Sequence, residues 1–339
     1  MFRRMRNRVV VITGASSGFG RGAALKFAEA GAKVVLAARR RRELNQVARE
    51  CEQRGGKALV VETDVSDSGE VRELCERAVQ KFGKIDVWVN NAGVGAVGQF
   101  EETPLEEHEQ VIKTNLLGTV YGSYAALQQF REEGQGVLIN VSSFAGKVAA
   151  PYLSSYSASK FGVRGLGMAL REEIEQNHED RIHVCTVMPV SHDTPFFEHA
   201  GNYSGKPVQP IGTVYDPQKV VDVIFDLTLE PEDEVIVGPT GKLAALGQRL
   251  APGLTEKRMG KRAHQSQMKQ KKSALDQAGA VLEPMSSGTD IYGGWLEKQH
   301  NGMGKLGTVL GIAVPIGMGA AYYALHRARS RRSEYQSAA

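Results

Sequence analysis

The stretch Arg8-Val-Val-Val-Ile-Thr13-Gly14-Ala-Ser-Ser-Gly18-Phe-Gly20 decides how this chain folds. Arg8 to Thr13 is a short β-branched run of the kind that forms a buried strand. Arg21 to Ala30, just beyond, has helical character. Between them the glycines are spaced G-x-x-x-G-x-G. A strand, a glycine turn and a helix in that order make a cradle for a pyrophosphate. The glycines let the backbone come close, and the helix start offers free N–H groups and the positive end of its dipole. Three glycines in a loop are by themselves an ordinary turn; their placement here gives them the second meaning.

The next strand-like run, Lys33 to Ala38, ends in Arg39-Arg40-Arg41-Arg42. An acidic residue at its end would hold the adenosine ribose through its hydroxyls, and none is present. Arg39 is placed instead to meet a 2′-phosphate through a charge-assisted contact. The expected coenzyme is therefore NADP(H), with NAD(H) second. A solvated charge run opening a helix accounts for Arg41 and Arg42.

Farther along, Tyr156-Ser-Ala-Ser-Lys160 puts a phenol and an ammonium one helical turn apart on one face. A phenol with its usual pKa near ~10 is a poor proton donor at neutral pH. A neighbouring positive charge is expected to lower that pKa. Ser143 lies thirteen positions before the tyrosine. Its hydroxyl can hydrogen-bond a substrate oxygen, which completes the equipment for carbonyl–alcohol interconversion once a hydride is supplied.

Taken in order, these motifs resemble the short-chain dehydrogenase/reductase family in its shorter Tyr-x-x-x-Lys form. The stretch Thr13 to Gly20 looks like that family's coenzyme loop, which carries Gly14, Ser16, Ser17, Gly18, Phe19 and Gly20 into the binding set. Asp64-Val65 resembles the pair that contacts adenine, and Asn90-Asn91-Ala92-Gly93 the turn after the fourth strand. Asn115 sits where the family has its active-site asparagine, and Ser143, Tyr156 and Lys160 complete a tetrad. The resemblance covers about residues 8 to 240. It implies that Tyr156 is the general acid in reduction and the base in oxidation. Lys160 would lower the tyrosine pKa and bind the nicotinamide ribose, and Ser143 would hold the substrate oxygen. Asn115 would hold a water linking Lys160 to solvent. A homodimer or homotetramer is also implied. Taken singly, Asn115 reads as a cap residue and Asn90 as a tie between strands.

The family pattern breaks at Met188-Pro189-Val190-Ser191-His192-Asp193-Thr194-Pro195. Pro189 and Thr194 fit and join the coenzyme-binding set. Val190 stands where glycine is usual, and valine disfavours positive φ, so a reshaped turn is expected. His192 stands where Ile or Val is usual; it reads either as a contact to the carboxamide or substrate, or as a solvated loop histidine. Residues 191 to 215 contain Phe196, Phe197, Tyr203, Pro207 and Pro210, a composition suited to a lid over an apolar substrate.

The whole chain has 339 residues, 42% of them hydrophobic, which is ample for one large domain and an extension. Strand-like segments read at 8–13, 33–38, 58–63, 86–90, 136–142, 182–188 and 234–238, with helical stretches between. The expected fold is α/β: a doubly wound parallel sheet of the Rossmann kind, in one catalytic domain over 1–250. Cys51, Cys75 and Cys185 lack C-x-x-C spacing and read as reduced structural thiols in a cytoplasmic protein. The histidines show no metal-ligand spacing, so no metal is expected. The basic start, MFRRMRNR, leads into strand one and is not read as a signal peptide.

Net charge is +4. Part of the excess lies in a polar, helix-like stretch with Lys257, Arg258, Lys261, Arg262, Lys269, Lys271 and Lys272. Aromatic residues to stack on bases are missing there, so nucleic acid is not an expected partner. A surface helix, or a basic segment near an anionic membrane, is the reading kept. Residues 280 to 304 are rich in Gly, Ser and Met and read as a linker, closing a second region over 251–304.

The third region, 305–339, contains LGTVLGIAVPIGMGAAYYAL over Leu306 to Leu325, uncharged and long enough to cross a bilayer. His326, Arg327, Arg329, Arg331 and Arg332 follow it. The preferred reading is membrane insertion or surface anchoring through 306–325; a buried or subunit-contacting helix is the other. The function expected is an NADP(H)-dependent oxidoreductase acting on a hydrophobic carbonyl or alcohol. Two rivals stand beside it: a membrane-associated NADP(H)-sensing scaffold without chemistry, and an extended-type epimerase or dehydratase, whose G-x-x-G-x-x-G loop this chain lacks.

Overall fold

The structure, a computed structural model, describes residues 5–303. The chain divides into two compact units, Met1–Glu297 and Lys298–Ala339. Of the second, only 298–303 fall among the described residues, so the apolar segment 306–325 and its basic tail lie outside them. Among the described residues no helix is long and apolar enough to cross a membrane.

The first unit opens with β1 (Val9–Thr13), α1 (Gly18–Glu29), β2 (Lys33–Ala38), α2 (Arg41–Gln53), β3 (Lys57–Glu62), α3 (Ser68–Phe82) and β4 (Val87–Asn90). It continues with β5 (Ala96–Gly98), α4 (Leu105–Ile112), a π-helical turn (Lys113–Leu117), α5 (Gly118–Glu133), β6 (Gly136–Val141), α6 (Ser154–Gln176) and β7 (Ile182–Pro189). Then come α7 (Phe196–His199), β8 (Gly201–Tyr203), α8 (Gln218–Asp226), β9 (Glu234–Val237), α9 (Pro239–Leu250) and α10 (Pro252–Gln267). The last described helix is α11 (Trp295–Met303).

Seven strands form one sheet in the order β3-β2-β1-β4-β6-β7-β9. Every pairing is parallel, as strand–helix alternation requires. All five residues of β1 are buried. Val10 and Ile12 point to the face covered by Phe27 of α1, Leu44 of α2 and Ile224 of α8. Val9 and Val11 point to the face covered by Leu74 of α3, Phe130 of α5 and Ile174 of α6. A strand buried on both sides reads as an unbroken apolar run, which is what Val9 to Ile12 is. Strand order reverses between β1 and β4, and the crevice outside the carboxyl ends of the strands opens there.

Three features were not foreseen. The lid-like stretch 191–215 contains α7 and β8, and β8 pairs with β5 in a small parallel ribbon. Each ribbon strand has three residues, too few to show a period. The stretch read as a linker does not hang free: Ala280 and Val281 are buried, and residues 277–296 bond to the catalytic domain. Helix α10, the basic stretch, buries Ala263 and Gln267 against the rest. Cys51 and Cys185 are buried free thiols, and burial raises both to about 12.

Candidate active site

Helix α6 carries Tyr156 and Lys160 past the carboxyl end of β6. Ser143 follows that strand and caps a short turn, its Oγ accepting from the Ala145 N–H at 3.1 Å. The same hydroxyl is close enough to the Tyr156 phenol to favour its ionised form. Lys160 Nζ donates to the Val141 carbonyl at 2.9 Å and lies 5.7 Å from the centre of the Tyr156 ring. Ser142, the neighbouring serine, is spent on structure: its hydroxyl donates to the Lys160 carbonyl at 2.8 Å.

Asn115 sits in the π-helical turn between α4 and α5, fully buried. Its side chain accepts from Val94 N at 2.8 Å and donates to Val94 O at 2.9 Å and Ser159 Oγ at 3.0 Å. It thereby ties the turn after β4 to α6. Gly93 lies between Asn115 and Lys160: a Cβ there would come within 3.3 Å of Asn115 Oδ1 and 3.4 Å of Lys160 Nζ. The four tetrad candidates therefore converge at one end of the sheet.

Charge in this corner differs from the sequence expectation. Burial, the leading cause, raises the Tyr156 pKa, and the Ser143 hydrogen bond opposes it. Burial also lowers Lys160 to about 8. A dry pocket disfavours phenolate and ammonium alike. Burial therefore works against the phenolate that a neighbouring ammonium favours.

The coenzyme loop is shaped by its glycines. Gly14 has φ +67, and a Cβ on it would lie 2.8 Å from the Ala92 Cα. A Cβ on Gly20 would lie 2.6 Å from Asn91 Nδ2. Asn91 braces this loop, donating to the Thr13 and Gly14 carbonyls at 2.9 and 3.3 Å. The N–H groups of Asn91 and Ala92 both donate to Thr13 Oγ1. Asn90 joins β4 to β6 and α5 through Asn140 and Ser123, the tie between strands considered for it. Gly18 approaches Thr194, whose Cβ would be 3.7 Å from an added Cβ. Phe19 packs beside His192.

At the far end of the groove, Arg39 Nη1 lies 4.0 Å from Asp64 Oδ2. Asp64 Oδ1 accepts from Ser66 N and Oγ, and Val65 is buried against α5 beside Gly118. Arg40, which carried no assignment from sequence, donates to Ser16 Oγ at 3.0 Å and Ser17 Oγ at 2.8 Å. Its only sequence signal was its place beside Arg39. Two guanidinium groups, two serine hydroxyls and the first N–H of α1 form a donor set suited to phosphates, around a cradle that side chains would fill. The residues fit a dinucleotide.

Two departures from the family pattern resolve physically. Val190 is not at positive φ; its N–H pairs with the Val237 carbonyl at 3.1 Å. Room for it comes from elsewhere, since a Cβ on Gly238 or Gly241 would lie 2.5 Å from a Val190 methyl. His192 is 2% exposed, so the solvated reading fails. Its Nδ1 lies 2.9 Å from the Val190 carbonyl, and its ring meets Phe19 edge-on at 5.6 Å. Burial lowers its pKa, which keeps it neutral. Pro189 ends β7 beside them.

Over the phenol, Phe196 lies 5.2 Å from Tyr156 between ring centres, and a Cβ on Gly95 would strike Phe196 at 2.8 Å. Val97, Ala150, Leu153, Ala200 and Val208 form an apolar cluster against Tyr156 and Phe197. The wall around the candidate proton donor is thus apolar on the side of Phe196 and Phe197, with Ser143 and Lys160 as its polar neighbours.

Residues 8–203 match the family description short chain dehydrogenase. An uncharacterised oxidoreductase of Bacillus subtilis, YxnA, is 34% identical over 283 residues, covering 83% of this chain and 79% of that protein. A short chain dehydrogenase/reductase from Burkholderia phymatum in complex with NAD superposes with a TM-score of 0.66 at 25% identity, covering 74% of this chain and 95% of that one. An alcohol dehydrogenase from Thermococcus sibiricus complexed with 5-hydroxy-NADP gives a TM-score of 0.59 at 28% identity, covering 68% and 96%.

Proposed function

The chain belongs to the short-chain dehydrogenase family of oxidoreductases, and on that premise we propose that it interconverts a hydrophobic carbonyl and its secondary alcohol with NADP(H). The observation that carries this reading is the convergence of Ser143 and Tyr156 with a buried Lys160, whose ammonium donates to the Val141 carbonyl and lies 5.7 Å from the phenol ring, at the end of a groove whose donors suit phosphates.

Gly14 to Gly20, Asn91 to Gly93, Pro189 and Thr194 would hold the coenzyme, with Asp64 and Val65 at its adenine. Arg39 and Arg40 would take the 2′-phosphate, which is the basis for preferring NADP(H). The bound coenzyme supplies the hydride. Tyr156 donates its proton to the substrate oxygen. Ser143 donates a second hydrogen bond to the same oxygen as charge develops there. Lys160 places a cation beside the phenol as the proton leaves, and Asn115 fixes the Val94 turn that borders both.

The apolar wall of Phe196, Leu153 and Val208 supports a hydrophobic substrate. Leu243, Leu246, Leu250 and Leu254 are exposed on α9 and α10, near Lys257, Arg258, Lys261 and Arg262. An apolar ridge with adjacent cations supports seating on an anionic membrane surface, with 306–325 as the anchor and the catalytic domain in the cytoplasm. Tyr124 on α5 and Phe161 and Met168 on α6 are exposed apolar side chains, and they support a homodimer or homotetramer.

The test is NADPH oxidation, followed by absorbance, with steroids, long-chain 3-oxo compounds, retinoids and quinones as substrates. Turnover of at least one class, faster with NADPH than with NADH, is the expected result. Coenzyme binding without turnover of any carbonyl would favour the non-catalytic sensor instead.

A further inference from the structure

We propose that residues 277–296 form an internal strap that occupies the mouth of the coenzyme groove and must be displaced before the dinucleotide enters. The proposal rests on the reading of the groove given above, and it lies beyond the residues that the family description matches, 8–203.

On the coenzyme wall, the strap takes up the donors assigned to phosphates. Arg39 donates to the Ala280 carbonyl at 2.6 Å and the Leu282 carbonyl at 2.8 Å. Arg40 donates to the Ser287 carbonyl at 3.0 Å and the Met285 carbonyl at 3.2 Å. The N–H of Gly18, at the start of α1, donates to the Asp290 carbonyl at 2.9 Å. Two guanidinium groups and a helix-terminal N–H are phosphate donors by chemistry. Here main-chain carbonyl oxygens stand in for phosphate oxygens.

The opposite wall is held as firmly. Gln277 and Asn202 exchange main-chain hydrogen bonds, at 2.7 and 3.0 Å, and the Ala280 N–H donates to the His199 carbonyl at 2.7 Å. His199 Nε2 lies 3.1 Å from the Ser287 carbonyl. The Asp193 carboxylate collects the N–H groups of Gly293, Trp295 and Leu296 at 3.0, 2.7 and 3.1 Å. Between the walls, Val281 is fully buried against Val94, Ala96, Val111 and the Tyr156 ring. The strap therefore reaches the phenol as well as the phosphate donors.

Its seat depends on two glycines outside the catalytic and coenzyme sets. Gly279 has φ +59, and a Cβ there would lie 2.6 Å from the Ala200 carbonyl oxygen. Gly288 has φ +62, and a Cβ would lie 3.0 Å from His199 ring carbons. Bulk at either position opposes docking while leaving the groove's own residues untouched. A phosphate offers the two guanidinium groups a full negative charge and bidentate geometry that a neutral carbonyl lacks, so the coenzyme can win the exchange. The apparent Kd is the intrinsic one divided by the open fraction, so a chain open one-tenth of the time binds about tenfold more weakly than its groove allows.

The experiment uses the full chain, wild type and G279V/G288V. NADPH affinity is measured by dihydronicotinamide fluorescence, and amide hydrogen exchange over 277–296 with and without NADPH. The expected result is exchange that quickens in wild type when NADPH binds, with a Kd roughly fivefold lower or more in the variant. Exchange that slows on binding would show a clasp over the coenzyme and overturn the strap; so would an unchanged Kd in a variant that melts like wild type. If the variant fails to fold, the wild-type exchange measurement decides alone. Absence of NADPH binding in both proteins would overturn the proposed function itself, a result distinct from a strap that fails to move.

Discussion

The floor of the groove and its mouth are built by different rules. On the floor, Ser143, Tyr156 and Lys160 come from one strand end and the helix after it, and side chain meets side chain or a nearby carbonyl. At the mouth, Arg39, Arg40 and Gly18 meet carbonyls more than two hundred residues away in the sequence. The floor depends on residue identity at fixed spacing. The mouth depends on backbone path, because a carbonyl is supplied by any residue. Chemistry needs particular side chains, whereas occlusion needs a backbone path and the two glycines that let it dock.

The hardest blow to the floor is Tyr156→Phe. It removes the proton donor and keeps the ring that Phe196 and Val281 pack on. General acid catalysis contributes about 10²–10⁴-fold, so kcat/KM for carbonyl reduction should fall by about that factor while the Kd for NADPH holds within a few-fold. Steady-state kinetics and fluorescence titration check the two parts. A variant with near-normal turnover would remove Tyr156 from the chemistry and leave the floor no more functional than the mouth.

The contrast also explains what the sequence disclosed. All seven strands of the main sheet were legible because each is a short apolar run between turn signals, and β1 is the clearest. Ser143 stands thirteen positions before Tyr156, and the structure spends its neighbour Ser142 on the Lys160 carbonyl. The strap was illegible for a physical reason. Its Gly, Ser and Met composition is that of a linker, and its bonds to Arg39, Arg40, Gly18 and Asp193 are made by main-chain atoms that carry no residue signature. His192 stayed open between two readings for a related reason: burial under Phe19 and Tyr215 is a tertiary fact. The direction of the Tyr156 shift was illegible likewise, because spacing reveals a neighbouring charge but not the dryness around it.

A pH profile sharpens the floor further. Burial lowers Lys160 to about 8, so its ammonium is present below that value and lost as pH rises through it. If that cation assists proton transfer, kcat/KM for reduction is level below about pH 8 and falls by up to tenfold per unit above it, since this ratio reports the free enzyme. A profile without a basic limb between 7 and 9, a window of about one unit either side, would show that the ammonium is not needed.

Arg39→Asp tests the mouth as a coenzyme selector. It removes a phosphate donor and places a carboxylate near Asp64, which lies 4.0 Å from the present guanidinium. Preference for NADPH over NADH, as a ratio of kcat/KM values, should shift toward NADH by about 10- to 100-fold, the worth of one lost charge-assisted contact and one new repulsion. Because Arg39 also holds Ala280 and Leu282, hydrogen exchange at 277–296 should quicken in the free protein. An unchanged coenzyme ratio with quickened exchange would make Arg39 an anchor for the strap alone.

The smallest effect concerns a place where the floor behaves like the mouth. Val190 replaces a glycine of the family pattern, and space for it is supplied by Gly238 and Gly241 of a distant segment. Gly241→Ala puts a methyl 2.5 Å from a Val190 methyl and 2.9 Å from Ile236, so overpacking should cost about 1–3 kcal/mol in a urea melt. Val190→Ala in the same chain removes the first of those contacts. If the two sites compensate, the double variant is more stable than the sum of the single losses predicts, by about 0.5–3 kcal/mol, the range for residues in contact. Strict additivity would mean that Val190 and Gly241 are independent, and that the turn after β7 tolerates valine for some reason local to its own backbone.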